Sequence, residues 1–155
     1  MFTNFETEWS KANSIVADWL SYAGYEVEER RFDNCRADQN HIREWVIPNE
    51  HTKVYITLAR SNERIDAQVY SPLCTLTKED KKLQLYTEIL SLNATTLSCC
   101  AFGLEEGNTV IVIADRGAID FTLSNLDEMV HNVKRAAAQY STEFVNRYEA
   151  GRVDV

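Results

Sequence analysis

The segment from Thr109 to Asp115 is apolar on both faces of a strand, and no other stretch constrains the fold as much. Successive side chains on an extended backbone point to opposite sides. Val110, Val112 and Ala114 therefore fall on one face, Ile111 and Ile113 on the other. The preceding segment, Thr96 to Leu104, behaves alike, with Leu97, Cys99 and Ala101 against Cys100 and Phe102. Glu105-Glu106-Gly107-Asn108 between them is a turn signal, which makes the pair a hairpin. A strand with one face in water alternates apolar and polar residues. This hairpin is thus either central with both faces covered, or it presents one apolar face to a partner or a second copy. The two readings stand side by side in the sequence.

The rest of the chain supplies the elements around it. Phe5, Trp9, Ala12, Val16, Trp19, Leu20 and Ala23 recur at spacings of three and four, predicting a helix over residues 4–23. Thr3 with Glu6 has capping-box spacing, and Gly24 supplies the stop. Tyr25 to Phe32 alternates weakly and is heavily charged, so it reads as an edge strand or a helix extension. Asp33 to Asn40 is polar and reads as a loop. Strands are predicted at His41–Ile47, Val54–Leu58 and Ile65–Val69, the last two joined at Arg60-Ser61-Asn62-Glu63. Pro72 is expected to end the third, since proline brings no N–H to a ladder. A second helix begins at Thr77 with Glu79 and Asp80 in its first turn, where the helix dipole favours acids. Its apolar stripe is Leu83, Tyr86, Ile89, Leu90 and Leu92, and Asn93 ends it. A last helix opens at Ser124 and stops at Gly151, with Leu126, Val130, Val133, Ala137, Tyr140, Phe144 and Tyr148 on one face. The order α-β-β-β-α-β-β-α is an α+β chain, a single domain over residues 1–155.

Charge and motifs narrow the function. Sixteen basic against 24 acidic residues give a net charge of -8. That balance repels a phosphate backbone, so nucleic acid is not the expected partner. No apolar run approaches the roughly 20 residues that span a membrane. The first residues carry Glu6 and Glu8 and no basic or apolar tract, so no signal peptide is expected. The four cysteines, Cys35, Cys74, Cys99 and Cys100, form no C-x-x-C pair. A reducing, cytoplasmic setting follows, with the thiols as small hydrophobes. The five glycines are scattered and make no phosphate loop. His41, His51 and His131 have no Cys or His partner at metal-ligand spacing. No nucleophile elbow or H-E-x-x-H is present. The expectation is a protein without catalysis, metal or cofactor.

The stretch LYTEILSLNATTLSCCAFGLEEGNTVIVIAD, followed by NLDEMVHNVKRAAAQYSTEF, resembles the class I type III secretion chaperones and their broader relatives, the YbjN-type domains. The shared pattern is a helix ending in L-x-L-N, a small-residue strand, a Glu-Glu-Gly turn, a Val/Ile strand and a long helix opened by Leu-Asp-Glu. Val69-Tyr70-Ser71-Pro72-Leu73 is similar to the end of that family's third strand. The resemblance implies a twisted antiparallel sheet packed with three helices, a homodimer, and no enzymatic activity. It implies a protein client held as an extended segment against apolar patches and sheet edges. It places dimer contacts on the second helix and the last hairpin. The candidate partner or dimer surface is accordingly Leu85, Ile89, Cys100, Phe102, Ile111 and Ile113. A regulatory domain acting on one folded partner is the alternative, and an enzyme with an unrecognised site a further one.

Overall fold

A computed structural model describes residues 5–27, 31–35, 41–61 and 64–153, with 31–35 described by backbone alone. The first helix, α1 (Phe5–Tyr22), buries Ala12, Val16, Trp19 and Leu20, as the spacing predicts. Gly24, at a φ of 83°, turns the chain out of the helix, a conformation that costs glycine no Cβ clash. The Tyr25 amide closes that turn on the Leu20 carbonyl at 2.8 Å. The Thr3 half of the expected capping box lies outside the described residues.

Four antiparallel strands follow as a meander: β1 (Arg31–Cys35), β2 (His41–Pro48), β3 (Lys53–Arg60) and β4 (Ile65–Thr75). After α2 (Glu79–Thr95), the hairpin of β5 (Ala101–Glu105) and β6 (Thr109–Gly117) joins through β6 to the free side of β4. The sheet order is β1-β2-β3-β4-β6-β5, with β1 and β5 at the edges. The last helix is α3 (Leu123–Tyr148). A two-residue β7 (Gly151–Arg152) pairs with the end of β4.

The α+β class with three helices on an antiparallel sheet stands, and the sheet is larger than the spacing suggested. Arg31 and Phe32 open β1, an edge strand that continues through Asp33 to Cys35 where polar composition predicted a loop. Strand pairing uses backbone groups that every residue except proline carries in full, so polarity alone does not exclude it. Pro72 does not end its strand. The β3 ladder stops at Tyr70, and β7 takes the same side of β4 from Cys74 onward. Pro72 therefore sits where no strand asks for its missing N–H, and the β6 register shifts between Pro72 and Cys74 to pass it. The hairpin is shorter at its start than predicted. Helix α2 runs on to Thr95 and Cys99 adopts a φ of 59°, so extension begins at Ala101. The hairpin tip is as expected, with Gly107 and Asn108 both at positive φ (78° and 62°).

Helix α3 is capped by Thr122, two residues before the expected opening. The Asn125 amide donates to Thr122 Oγ1 at 3.2 Å, and the Thr122 amide donates to Asn125 Oδ1 at 3.1 Å. The helix ends at Tyr148, with Glu149 left-handed at a φ of 50°, and Gly151 starts β7. Helix α3 lies on β3, β4 and β6, α1 packs on α3 and β3, and α2 meets β5 and α3. Trp19 Nε1 donates to Asp127 Oδ1 at 2.9 Å, which fastens α1 to the first turns of α3. The inward residues of all three helices join Trp45, Ile56, Leu58, Val69, Val112 and Ala114 in one core. Ile111 and Ile113 are not part of it. The helices thus share one face of the sheet, and among the described residues no helix lies on the other.

Within α2 the buried positions are Leu85 and Ile89, with Leu92 half-buried against the core. Leu83 and Leu90, assigned to the apolar stripe, are 75% and 68% exposed. Leucines surround this helix, so two different faces fit a three-four spacing, and packing on β5 and α3 selects the one through Leu85.

Candidate protein-binding surface

The strand register determines what the helix-free face carries. Phe102, Val110, Val112, Val69, Ile56 and Trp45 are core residues, so the alternate positions point outward. From β2 to β6 the outward set includes Val46, Tyr55, Tyr70, Ile113 and Ile111, linked across strands by the pairs Val46–Tyr55, Tyr55–Tyr70 and Tyr70–Ile113. An unbroken row of large apolar and aromatic side chains crosses four strands. The Tyr55 and Tyr70 rings stack at 4.9 Å between centroids with 10° between planes. Ile111 lies over Gly103, where an added Cβ would sit 3.6 Å from Ile111 Cγ1.

One polar cluster borders the row, where Glu44 pairs with Thr57. Glu44 Oε2 accepts from Thr57 Oγ1 at 3.0 Å and from Tyr70 OH at 3.1 Å. Burial raises the Tyr70 phenol far above its ordinary pKa, and the adjacent Glu44 carboxylate raises it further by charge and by hydrogen bond. Tyr55 is raised too, by burial first and then by Glu44 and Glu105. Both phenols therefore stay neutral at physiological pH.

The six residues proposed from sequence separate into two groups. Leu85, Ile89 and Phe102 are 0%, 5% and 6% exposed and belong to the core under the helices. Phe102 packs edge-on against Tyr140 at 5.2 Å and against Phe144 at 5.4 Å. Their side chains offer this chain no free surface. Ile111 and Ile113 lie on the helix-free face, Ile113 half-buried and Ile111 only 7% exposed beside Gly103, and Cys100 is half-buried beside α3 in a cleft that Arg135 and Asn132 also line. Sequence reading missed Tyr55, Tyr70 and Val46. The available signal was a large side chain at the outward position of a strand whose inward positions were already apolar. It also missed that Leu83 and Leu90 form the outward face of α2.

Among the described residues no three His, Cys, Asp or Glu side chains group so as to hold a metal ion. Burial pushes the Cys74 thiol up to about 11 and raises that of Cys100, the reverse of what a nucleophile needs. Cys99 Sγ, at the surface, donates to Glu128 Oε1 at 3.5 Å. Among the described residues no helix is long and apolar enough to cross a membrane.

No protein-family model matches the chain, and no curated protein matches it by sequence. Solved structures do. ExsC, in its complex with ExsE, superposes with a TM-score of 0.52 at 17% identity, covering 86% of this chain and 92% of ExsC. The type III secretion chaperone SycH of Yersinia pestis, bound to a fragment of YscM2, gives 0.51 at 16% identity over 82% and 97%. YbjN of E. coli gives 0.50 at 13% identity over 88% and 93%. The resemblance read in the sequence holds in three dimensions, and the chain has the fold shared by the type III secretion chaperones and YbjN.

Proposed function

We propose that the chain is a non-catalytic, chaperone-like domain of the cytoplasm that binds a protein client across its helix-free sheet face. The observation that carries this reading is the row Val46–Tyr55–Tyr70–Ile113, which no helix among the described residues covers. Such a continuous apolar row marks a contact surface in a protein of this size. The fold supports it, since the secretion chaperone SycH was solved with a protein fragment bound. A second copy joins through the outward leucines of α2, Leu83 and Leu90, making a homodimer. The net charge of -8 favours a basic client and keeps the complex soluble.

A regulatory role toward one folded partner uses the same face. The Glu44–Thr57–Tyr70 cluster favours it, because hydrogen-bonded polar groups beside an apolar row demand matching geometry from the partner.

Ile113→Lys tests the assignment. Ile113 is half-buried and outside the core, so the lysine stem can lie along the sheet with its ammonium in water, at a cost below about 2 kcal/mol. The tagged wild type, expressed in its own cells, should retain a stoichiometric partner protein that the folded variant loses. Retention of the same partner by the variant contradicts the proposal.

A further inference from the structure

Strand β5 is an edge of the sheet, yet one of its residues already has a neighbour on both sides. The Phe102 amide donates to Asn93 Oδ1 at 2.7 Å, and Asn93 Nδ2 donates to the Phe102 carbonyl at 3.1 Å. A carboxamide has the same donor and acceptor as a peptide group. This pair of bonds is therefore the pair that a residue of an adjacent antiparallel strand would make. It follows that the Phe102–Val112 pair is a non-hydrogen-bonded one, with the N–H and C=O of Phe102 aimed out of the sheet.

Alternation sends the backbone groups of Leu104 outward as well. The Leu104 side chain is 48% exposed, and no described residue bonds its amide or carbonyl. In a strand of five residues, Ala101–Glu105, the outward backbone positions are thus Phe102, which is occupied, and Leu104, which is open. Asn93 itself sits two residues before the end of α2 at Thr95, where asparagine is a poor helix former. It does not end the helix, and its side chain is spent on β5. Ile89 and Leu85, about one and two turns earlier, anchor α2 in the core, so the carboxamide is held in place before any strand arrives.

We propose that Asn93 closes the β5 edge to strand addition by standing in for the backbone of a neighbouring strand, and that the occupant it excludes is β5 of a second copy of this chain. An exposed edge strand is a template for its own copy, because two identical antiparallel edges pair about a two-fold axis. With Asn93 in place, such a copy finds one open backbone position and must displace a preformed pair of hydrogen bonds to gain the other. The device is independent of the open sheet face. It leaves the dimer to side-chain contacts elsewhere and prevents edge-to-edge growth.

Amide hydrogen exchange on the intact protein should show the Phe102 amide exchanging at least about tenfold more slowly than that of Leu104. Asn93→Ala should bring the two rates together. In sedimentation velocity it should add a concentration-dependent species of twice the wild-type mass. Asn93→Asp, which keeps the shape and the acceptor but loses the donor, is run in parallel and should add the same species. Leu104→Lys placed on Asn93→Ala should abolish the new species while the Phe102 amide stays fast, since a lysine at an edge opposes pairing. Equal exchange at Phe102 and Leu104 in the wild type, or folded variants that keep the wild-type mass at every concentration, overturns the proposal.

Discussion

Tyr70 shows how one side chain ties the surface to stability. Its phenol is half-buried beside Glu44 and donates to that carboxylate, so the folded protein holds the proton more tightly than the unfolded chain. A group whose folded pKa lies above its unfolded value contributes stability that is fully present below the unfolded pKa and is lost as pH rises. For tyrosine the unfolded value is about 10. Tyr55 and Tyr140 are raised in the same direction, each by burial first. Stability from urea unfolding should therefore be unaffected by these phenols between pH 7 and 9 and should fall above about pH 10. Glu44→Gln removes the charge that raises Tyr70 and Tyr55, so the alkaline fall should be shallower. An identical fall in the variant would show that Glu44 has no part in it. None of this was legible in the sequence. Glu44 and Tyr70 are 26 residues apart and meet because β2, β3 and β4 pair in one particular register. A one-residue slip would send the two side chains to the opposite face.

At the scale of elements, legibility followed period and packing. Helix α3 was readable along nearly its whole length, because a 26-residue amphipathic helix repeats its signal turn after turn. The β5–β6 tip was readable from Gly107 and Asn108, which take the left-handed conformations that a tight reversal needs. Strand β1 was readable only at Arg31 and Phe32, in a segment that read equally as a helix extension, since the composition from Asp33 onward resembles a loop. The strand-ending reading of Pro72 failed for a reason outside its own segment: β3 has stopped and β7 has not yet begun at that point of β4. Helix α2 was found and its stripe was right at Tyr86, Ile89 and Leu92 but not at Leu83 and Leu90, because leucines at 83, 85, 90 and 92 permit more than one stripe. That ambiguity has a functional side. Leu83 and Leu90 are seven residues apart, so they project from the same side of the helix. Both are mostly exposed and offer an apolar face that a second copy can cover. Replacing both with lysine should change stability by no more than about 0.5 kcal/mol, as expected at exposed helix positions. The same change should halve the sedimenting mass of the protein. An unchanged mass would remove α2 from the dimer contact.

Across the whole molecule the arrangement is asymmetric. One face of the sheet carries three helices and nearly all of the buried apolar residues, and the other carries a row of aromatic and aliphatic side chains with no helix above it among the described residues. The two-sided hairpin announced this in the sequence without saying which side was which. The core side is Phe102, Val110, Val112 and Ala114, covered by α3 with Tyr140 and Phe144. The other side is Ile111 and Ile113, continued by Tyr70, Tyr55 and Val46. The most direct test is to place a photo-crosslinking amino acid at position 113, in cells, with His131 on the exposed side of α3 as the control position. Position 113 should give a discrete adduct with another protein chain and position 131 should give none. Adducts from position 131 with none from position 113 would contradict the account.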